Sequence, residues 1–178
     1  MLTTSRADRP VVRLCRNAVM LALALALSFL EHLLPLSLIL PLPGVKLGLA
    51  NLVTVILLYM VSPLDAAAVS LLRIGLSALL FGTPVSFFFS ILGGIFAYLI
   101  MLVCKPFYGR AFSFIGVSIL SATGHHFGQI LAAAILFDTG VFLTYLPVLL
   151  PAGIVMGSLT GLALNLCENR LQKILKTR

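Results

Sequence analysis

The chain has 178 residues, of which 61% are hydrophobic and only 10% are charged. Soluble proteins average about 45–50% apolar and about 25% charged residues, so this composition excludes a soluble globular domain. The net charge of +7 is concentrated at the two ends, without the interleaved aromatic residues that stack on bases, and does not indicate nucleic-acid binding. We therefore predict an all-α integral membrane protein.

Apolar runs predict a bundle of six transmembrane helices, because about 20 residues cross the hydrocarbon and proline, glycine and charged residues mark the ends. The predicted helices are 17–34, 45–61, 64–81, 85–104, 112–137 and 145–167. A proline-rich segment at 35–44 separates the first two. It is too apolar for an ordinary loop and too often interrupted by proline for a helix.

Basic residues lie in the segments that share one side of the membrane. These are the N-terminal segment 1–16, the connection holding Lys105 and Arg110, and the tail 168–178. The opposite side holds Glu31, Lys46 and Asp138. Cytoplasmic loops are enriched in Lys and Arg, so we predict that both termini are cytoplasmic and flank a single transmembrane domain, 17–167.

Small residues recur every four positions in three helices, which places each set on one helix face where backbones can approach closely. The stripes of the fifth and sixth helices predict internal packing. The stripe of the first helix is compatible with internal packing or with contact to another membrane protein. The sets are Gly124, Gly128 and Ala132; Gly153, Gly157 and Gly161; and Ala18, Ala22 and Ala26.

Arg73 lies about nine residues into the third helix, near the membrane midplane. An arginine at that depth must face the protein interior or a wet cavity, and Ser70 and Ser77 share its face. Two interpretations remain open. Arg73 either makes an internal contact, with Glu31 or with carbonyls of a broken helix, or it anchors an acidic ligand, because guanidinium pairs with carboxylate and phosphate.

The fifth helix has the densest polar face. Ser118, Ser121, His125 and Gln129 fall within about 80° of arc at 100° per residue, and His126 points elsewhere. Helix–helix hydrogen bonds would explain a single histidine, whereas four polar groups on one stripe favour a lined cavity.

Lys46 and Asn51 stand at the predicted outer start of the second helix, where the proline-rich segment would act as a lid. Lys46 could instead extend to the membrane interface. The candidate substrate-binding residues are Lys46, Asn51, Arg73, Ser121, His125 and Gln129. The positive charges of Lys46 and Arg73, against Glu31 alone, favour an anionic substrate.

The sequence contains no aspartate-rich magnesium motif, no GxxxxGK[ST] loop, no GxSxG elbow and no HExxH helix. His125 and His126 are adjacent and point to different sides, which is poor geometry for a metal. We expect no catalytic residues, no cofactor and no metal site, and a protein that is not an enzyme.

Five segments of the chain carry a family resemblance: PGVKLGLANLV (43–53), LLRIGLSALLFGT (71–83), FSILGGIFAYLIM (89–101), SATGHHFGQILAA (121–133) and LLPAGIVMGSLTGLALN (149–165). They resemble the Gx transporter group, membrane proteins often labelled heptaprenyl diphosphate synthase component I. The resemblance covers nearly the whole chain after residue 17.

That group is similar to the S components of energy-coupling factor (ECF) transporters. The resemblance implies a six-helix bundle in the bacterial cytoplasmic membrane that binds a vitamin or related micronutrient from outside, under a lid between helices one and two. It also implies a scaffold subunit and two ATPase subunits as partners. Ala18, Ala22 and Ala26 would contact the scaffold subunit, and membrane lipid would surround the other outer surfaces of the bundle.

We therefore expect a substrate-binding subunit of an ECF-type ABC importer, which captures a small micronutrient or biosynthetic precursor for ATP-driven uptake. The alternative is a membrane accessory protein of polyprenyl diphosphate or quinone biosynthesis, which would bind a lipid intermediate and a soluble catalytic partner. A purely structural scaffold is disfavoured by Arg73 and by the polar face of the fifth helix.

Overall fold

The computed structural model describes residues 8–33, 48–137 and 146–176, with side chains for 10–33, 48–137 and 146–166. Within these ranges the chain forms six α-helices and one short 3-10 helix, Lys105–Phe107, which confirms the all-α bundle. The α-helices are α1 (Asp8–Leu33), α2 (Asn51–Met60), α3 (Pro63–Phe81), α4 (Pro84–Cys104), α5 (Phe114–Phe137) and α6 (Leu146–Lys176).

The outside of the bundle is apolar. Five of the helices, all except α2, are long and apolar enough to cross a membrane. Large apolar side chains such as Leu64, Leu79 and Leu166 are exposed on the outside, whereas Arg73 and His125 are buried. This distribution is the reverse of that in a soluble protein, and the chain is a multi-pass membrane protein.

The ends of α3 and α4 follow from local sequence. Pro63 and Pro84 occupy the first helical turn, where a missing N–H costs nothing. Before α4, the Thr83 hydroxyl accepts a hydrogen bond from the Ser86 N–H (3.1 Å), and the Ser86 hydroxyl accepts one from the Thr83 N–H (2.9 Å). This capping box fixes the start of the helix, within one residue of the predicted position.

The first and last helices are longer than predicted. α1 begins at Asp8 rather than at residue 17, and α6 continues to Lys176 rather than ending at residue 167. Basic residues form helices as readily as apolar ones. The end of an apolar run therefore marks the edge of the membrane and not the end of the helix.

α2 is shorter than predicted, because residues 48–50 form a turn and the helix begins only at Asn51. Gly48 has φ +85°, a conformation that favours glycine, and its carbonyl accepts a hydrogen bond from the Asn51 N–H at 2.9 Å. The ten residues of α2 span about 15 Å, half of the roughly 30 Å hydrocarbon core. Asn51 therefore stands at the start of this helix, as predicted, but the helix covers only about half of the core.

Polar contacts hold the helix ends together on one side of the bundle. Asp65, at the start of α3, accepts hydrogen bonds from Arg13 Nε (2.7 Å), Arg16 Nη2 (3.1 Å) and Asn17 Nδ2 (2.7 Å) of α1. Lys105 Nζ, after α4, donates to the Leu58 carbonyl of α2 at 2.7 Å. We call this side, with Arg13, Arg16, Lys105 and Arg110, the basic face.

Glycines bring α4, α5 and α6 into close contact. A Cβ atom added to Gly128 of α5 would lie 2.6 Å from the Leu92 carbonyl oxygen of α4, and one added to Gly157 of α6 would lie 2.5 Å from the Ile119 Cα of α5. Backbone atoms that close leave no room for a side chain. The small-residue stripes of α5 and α6 therefore serve internal packing, as predicted.

Candidate functional site

Three polar residues from different helices lie at similar depth. Asn51 begins α2 near the midplane, Arg73 follows the start of α3 by ten residues, and His125 follows the start of α5 by eleven. These helix lengths correspond to about 15–17 Å from the basic face. All three side chains are buried, so the interior of the bundle is polar at mid-membrane depth.

Arg73 has few partners for a buried cation. Its Nη1 donates to Ser28 Oγ of α1 at 3.4 Å, a long hydrogen bond. Within the described ranges, its Nε and Nη2 atoms have no hydrogen-bond partner and it forms no ion pair, although Arg73 is only 3% exposed. Glu31 of α1 interacts with it electrostatically. Ser70 and Ser77 are buried on the same helix face, as predicted.

Glu31 connects α1 to the start of α2. Its Oε1 accepts a hydrogen bond from the backbone N–H of Leu49, in the turn that precedes the helix. Backbone N–H groups that are shielded from water need a partner, and this carboxylate supplies one to the turn. The sequence gives no indication of this role. Glu31 lies near the end of the first apolar run, and we predicted that this end reaches the outer membrane interface.

His125 is held between two glycines. A Cβ atom on Gly93 of α4 would lie 2.7 Å from His125 Cε1, and one on Gly48 would lie 3.7 Å from His125 Cδ2. The same added atom on Gly48 would lie 3.1 Å from Asn51 Nδ2. Gly48 therefore brings Asn51 of α2 and His125 of α5 together, and two of the predicted site residues are neighbours.

A narrow cleft lies between α2, α5 and α6. Its polar lining comes from Asn51, Ser118, Ser121 and Thr160, and its volume of about 10 Å³ is that of roughly one water molecule. Asn51 Nδ2 and Ser118 Oγ are buried, and no described residue forms a hydrogen bond with either atom. The cleft lies beside part of the polar face of α5, because Ser118 and Ser121 line it and His125 and Gln129 do not. Its remaining lining residues are Gly48, Leu52, Val55, Ala122 and Met156.

Gln129 is fully buried, as expected, but it contacts a residue outside the predicted polar group. Its Oε1 lies 3.0 Å from Nδ1 of His126, on the side facing α6, where a Cβ atom on Gly153 would lie 2.9 Å from His126 Cδ2. The prediction grouped Gln129 with His125 and left His126 aside. His126 is thus a buried polar residue that the sequence analysis did not include among the candidates.

The alanine stripe of α1 faces away from the bundle. Ala18, Ala22 and Ala26 are exposed, whereas Ala24 and Ser28 on another face of the same helix are buried. The described part of the chain therefore does not cover this stripe, and packing against the described residues does not account for it.

Other expected features are outside the described residues or differ in kind. Lys46 and the proline-rich segment 35–44 lie outside the described residues. The residues with described side chains contain no group of three or more His, Cys, Asp or Glu that could hold a metal. An apolar groove of about 430 Å³ opens between α3 and α4, lined by Gly75, Ala78, Leu79, Thr83, Pro84, Phe87 and Phe88.

The sequence match is consistent with these structural features. No curated protein and no solved structure is similar enough to the chain to count as a match. Residues 20–167, which include every described candidate residue except Ala18, match the family described as heptaprenyl diphosphate synthase component I. The chain belongs to the heptaprenyl diphosphate synthase component I family, the Gx transporter group that its sequence resembles.

Proposed function

We propose that this chain is the substrate-binding S component of an ECF-type importer. The observation that best supports the proposal is the polar interior at mid-membrane depth, where Asn51 and Arg73 keep buried donors that have no hydrogen-bond partner among the described residues. Unpaired polar groups are costly in hydrocarbon, and a bundle that served only as a scaffold would gain nothing from them. A bound small molecule would supply the missing partners.

The site would be open to substrate only after a rearrangement. The cleft beside Asn51 has room for about one water molecule, so the described helices are closed around it. Gly48, in the turn that precedes α2, leaves room beside Asn51 and His125 that a Cβ atom would fill. Movement of this turn relative to α5 would open the cleft on the side away from the basic face.

The exposed alanine stripe supports a partner subunit. Small side chains allow another helix to approach closely. Ala18, Ala22 and Ala26 are not covered by any described residue. In this proposal they contact the scaffold subunit, and two ATPase subunits supply the energy. The chain itself binds its substrate without catalysing a reaction. The basic face would lie in the cytoplasm of a bacterial cell, following the positive-inside rule.

A second candidate is the accessory role in polyprenyl diphosphate or quinone biosynthesis. It is favoured by the description of the family and by the apolar groove between α3 and α4, which could take an isoprenoid chain. In that case the partner would be a soluble prenyltransferase rather than ATPase subunits.

Co-purification from the native host separates the two candidates. The tagged chain would be extracted in mild detergent and its stoichiometric partners identified by mass spectrometry. We expect one membrane scaffold subunit and two ABC-type ATPase subunits. A prenyltransferase recovered in stoichiometric amount without ATPases would contradict the importer role and establish the second candidate.

A further inference from the structure

The guanidinium group of Arg73 donates one hydrogen bond and carries two further donor atoms along one edge. Nη1 donates to Ser28, while Nε and Nη2 have no hydrogen-bond partner in the part of the chain that the structure describes. The hydrogens on Nε and Nη2 project from the same edge of this planar group, so the two free donors are parallel and suit bidentate binding of an acid group. We propose that this edge binds a carboxylate of the substrate, an inference that rests on the proposed function and narrows the substrate to organic acids.

The charges nearby favour a carboxylate over a phosphate. Among the described residues, Arg73 is the one arginine or lysine buried at mid-membrane depth. The others with described side chains, Arg13, Arg16, Lys105 and Arg110, belong to the basic face. Glu31 already places negative charge near it. A phosphate group carries about −1.5 to −2 at neutral pH, which one guanidinium leaves largely uncompensated. A monoanion is matched more closely.

Asn51 indicates what else the acid should carry. Its Nδ2 is buried without a hydrogen-bond partner among the described residues, and the residue is 7% exposed. It stands at the N-terminus of α2, where the helix dipole favours electron-rich groups. Glu31 links the two places, because it is near Arg73 and accepts from Leu49, two residues before Asn51. The unpartnered atoms of Arg73 and Asn51 are all donors, so the substrate is an organic acid with a second, neutral acceptor.

Matched acids and amides test the inference directly. The purified full chain in lipid nanodiscs would be unfolded thermally with millimolar acetate, benzoate or pyridine-3-carboxylate, and separately with acetamide, benzamide or pyridine-3-carboxamide. We expect at least one carboxylate to raise the Tm by about 2–4 °C, and the corresponding amide to have no effect. Equal shifts for acid and amide, or no shift with any acid, would overturn the inference.

Variants at Arg73 assign the effect to this residue. Arg73→Lys keeps the charge but loses the parallel donor pair, so we expect the stabilising carboxylate to bind at least tenfold more weakly; Arg73→Gln should abolish the shift. Arg110→Gln, an exposed cation on the basic face, is the control and should retain it. A carboxylate shift of unchanged size in Arg73→Lys or Arg73→Gln would refute the assignment. If ATPase subunits co-purify but acids do not bind, only this inference fails; if acids bind but no ATPase is found, the importer role fails instead.

Discussion

Glu31 of α1 accepts a hydrogen bond from the backbone N–H of Leu49, and this contact joins the first helix to the mid-membrane start of the second. Glu31→Ala would remove this acceptor from the part-buried N–H of Leu49, so we expect a loss of about 1–3 kcal/mol in stability. Glu31→Gln keeps an acceptor oxygen and should lose less. The measurement is the thermal unfolding of each purified variant in the same detergent.

His32→Ala is the control for Glu31, since His32 is the adjacent residue and is exposed. It contacts the ring of Phe81 but takes no part in the turn before α2. A loss in His32→Ala as large as that in Glu31→Ala would show that the Leu49 contact is not the source of the stability.

Two glycines in different helices form a matched pair for testing the packing. Gly157→Ala would place a Cβ atom 2.5 Å from the Ile119 Cα, whereas Gly75→Ala meets no atom within 4 Å. We expect the first to destabilise the protein by about 1–3 kcal/mol, as overpacking usually does, and the second to leave stability unchanged or slightly higher. Thermal unfolding of the two variants measures both. Similar melting temperatures would mean that α5 and α6 are not held this close.

Asp65 is the centre of the contacts between α1 and α3. Its side chain is 4% exposed and accepts from three donors, whereas Arg13 is 55% exposed. Arg13→Ala should therefore cost only about 0.2–1 kcal/mol, while Asp65→Ala leaves three donors without their acceptor and should cost about 1–3 kcal/mol.

Salt provides a second measurement for Asp65. High ionic strength screens the exposed part of the Arg13–Asp65 pair, so the stability difference between wild type and Arg13→Ala should shrink in 1 M salt. Equal and small losses for Arg13→Ala and Asp65→Ala would mean that the ion pairs do not hold α1 in place.

The helix ends that the sequence predicts well are those set by local chemistry. Pro63, Pro84 and the Lys105-Pro106 pair act within one turn, and α3 and α4 begin or end beside them. The start of α2 is different, because it depends on distant residues. Glu31 accepts a hydrogen bond from the Leu49 N–H in the turn, and His125 packs on Gly48. Neither contact can be predicted from residues 45–51 alone.

The same distinction applies to the site. Burial of Arg73, His125 and Gln129 follows from the cost of polar groups in hydrocarbon, so the sequence predicts which residues face inward. Their partners depend on helix rotation. Gln129 meets His126 three residues away, and spacings of three and four both bring helical side chains together, so helical periodicity alone did not identify that pair.

Orientation can be measured with single cysteines in a background without Cys15, Cys104 and Cys167. Thr83 and Arg110 are both exposed and lie at opposite ends of α4. If the basic face is cytoplasmic, an impermeant maleimide added to intact cells should label Thr83→Cys and miss Arg110→Cys until the cells are opened. Labelling of Arg110→Cys in intact cells would show that the orientation is the opposite one, with the basic face outside.

The alanine stripe yields the most direct test of partner binding. Ala22 is exposed on α1, so Ala22→Leu adds a bulky side chain without disturbing the bundle, and the melting temperature should stay within about 2 °C of wild type. A helix that packs against this stripe would be pushed away, and co-purified scaffold and ATPase subunits should fall at least tenfold. Ala68→Leu, an exposed position on α3, is the matched control and should keep its partners. Normal partner recovery with Ala22→Leu would exclude the stripe as the docking surface, and a large drop in melting temperature would show that it packs within the chain itself.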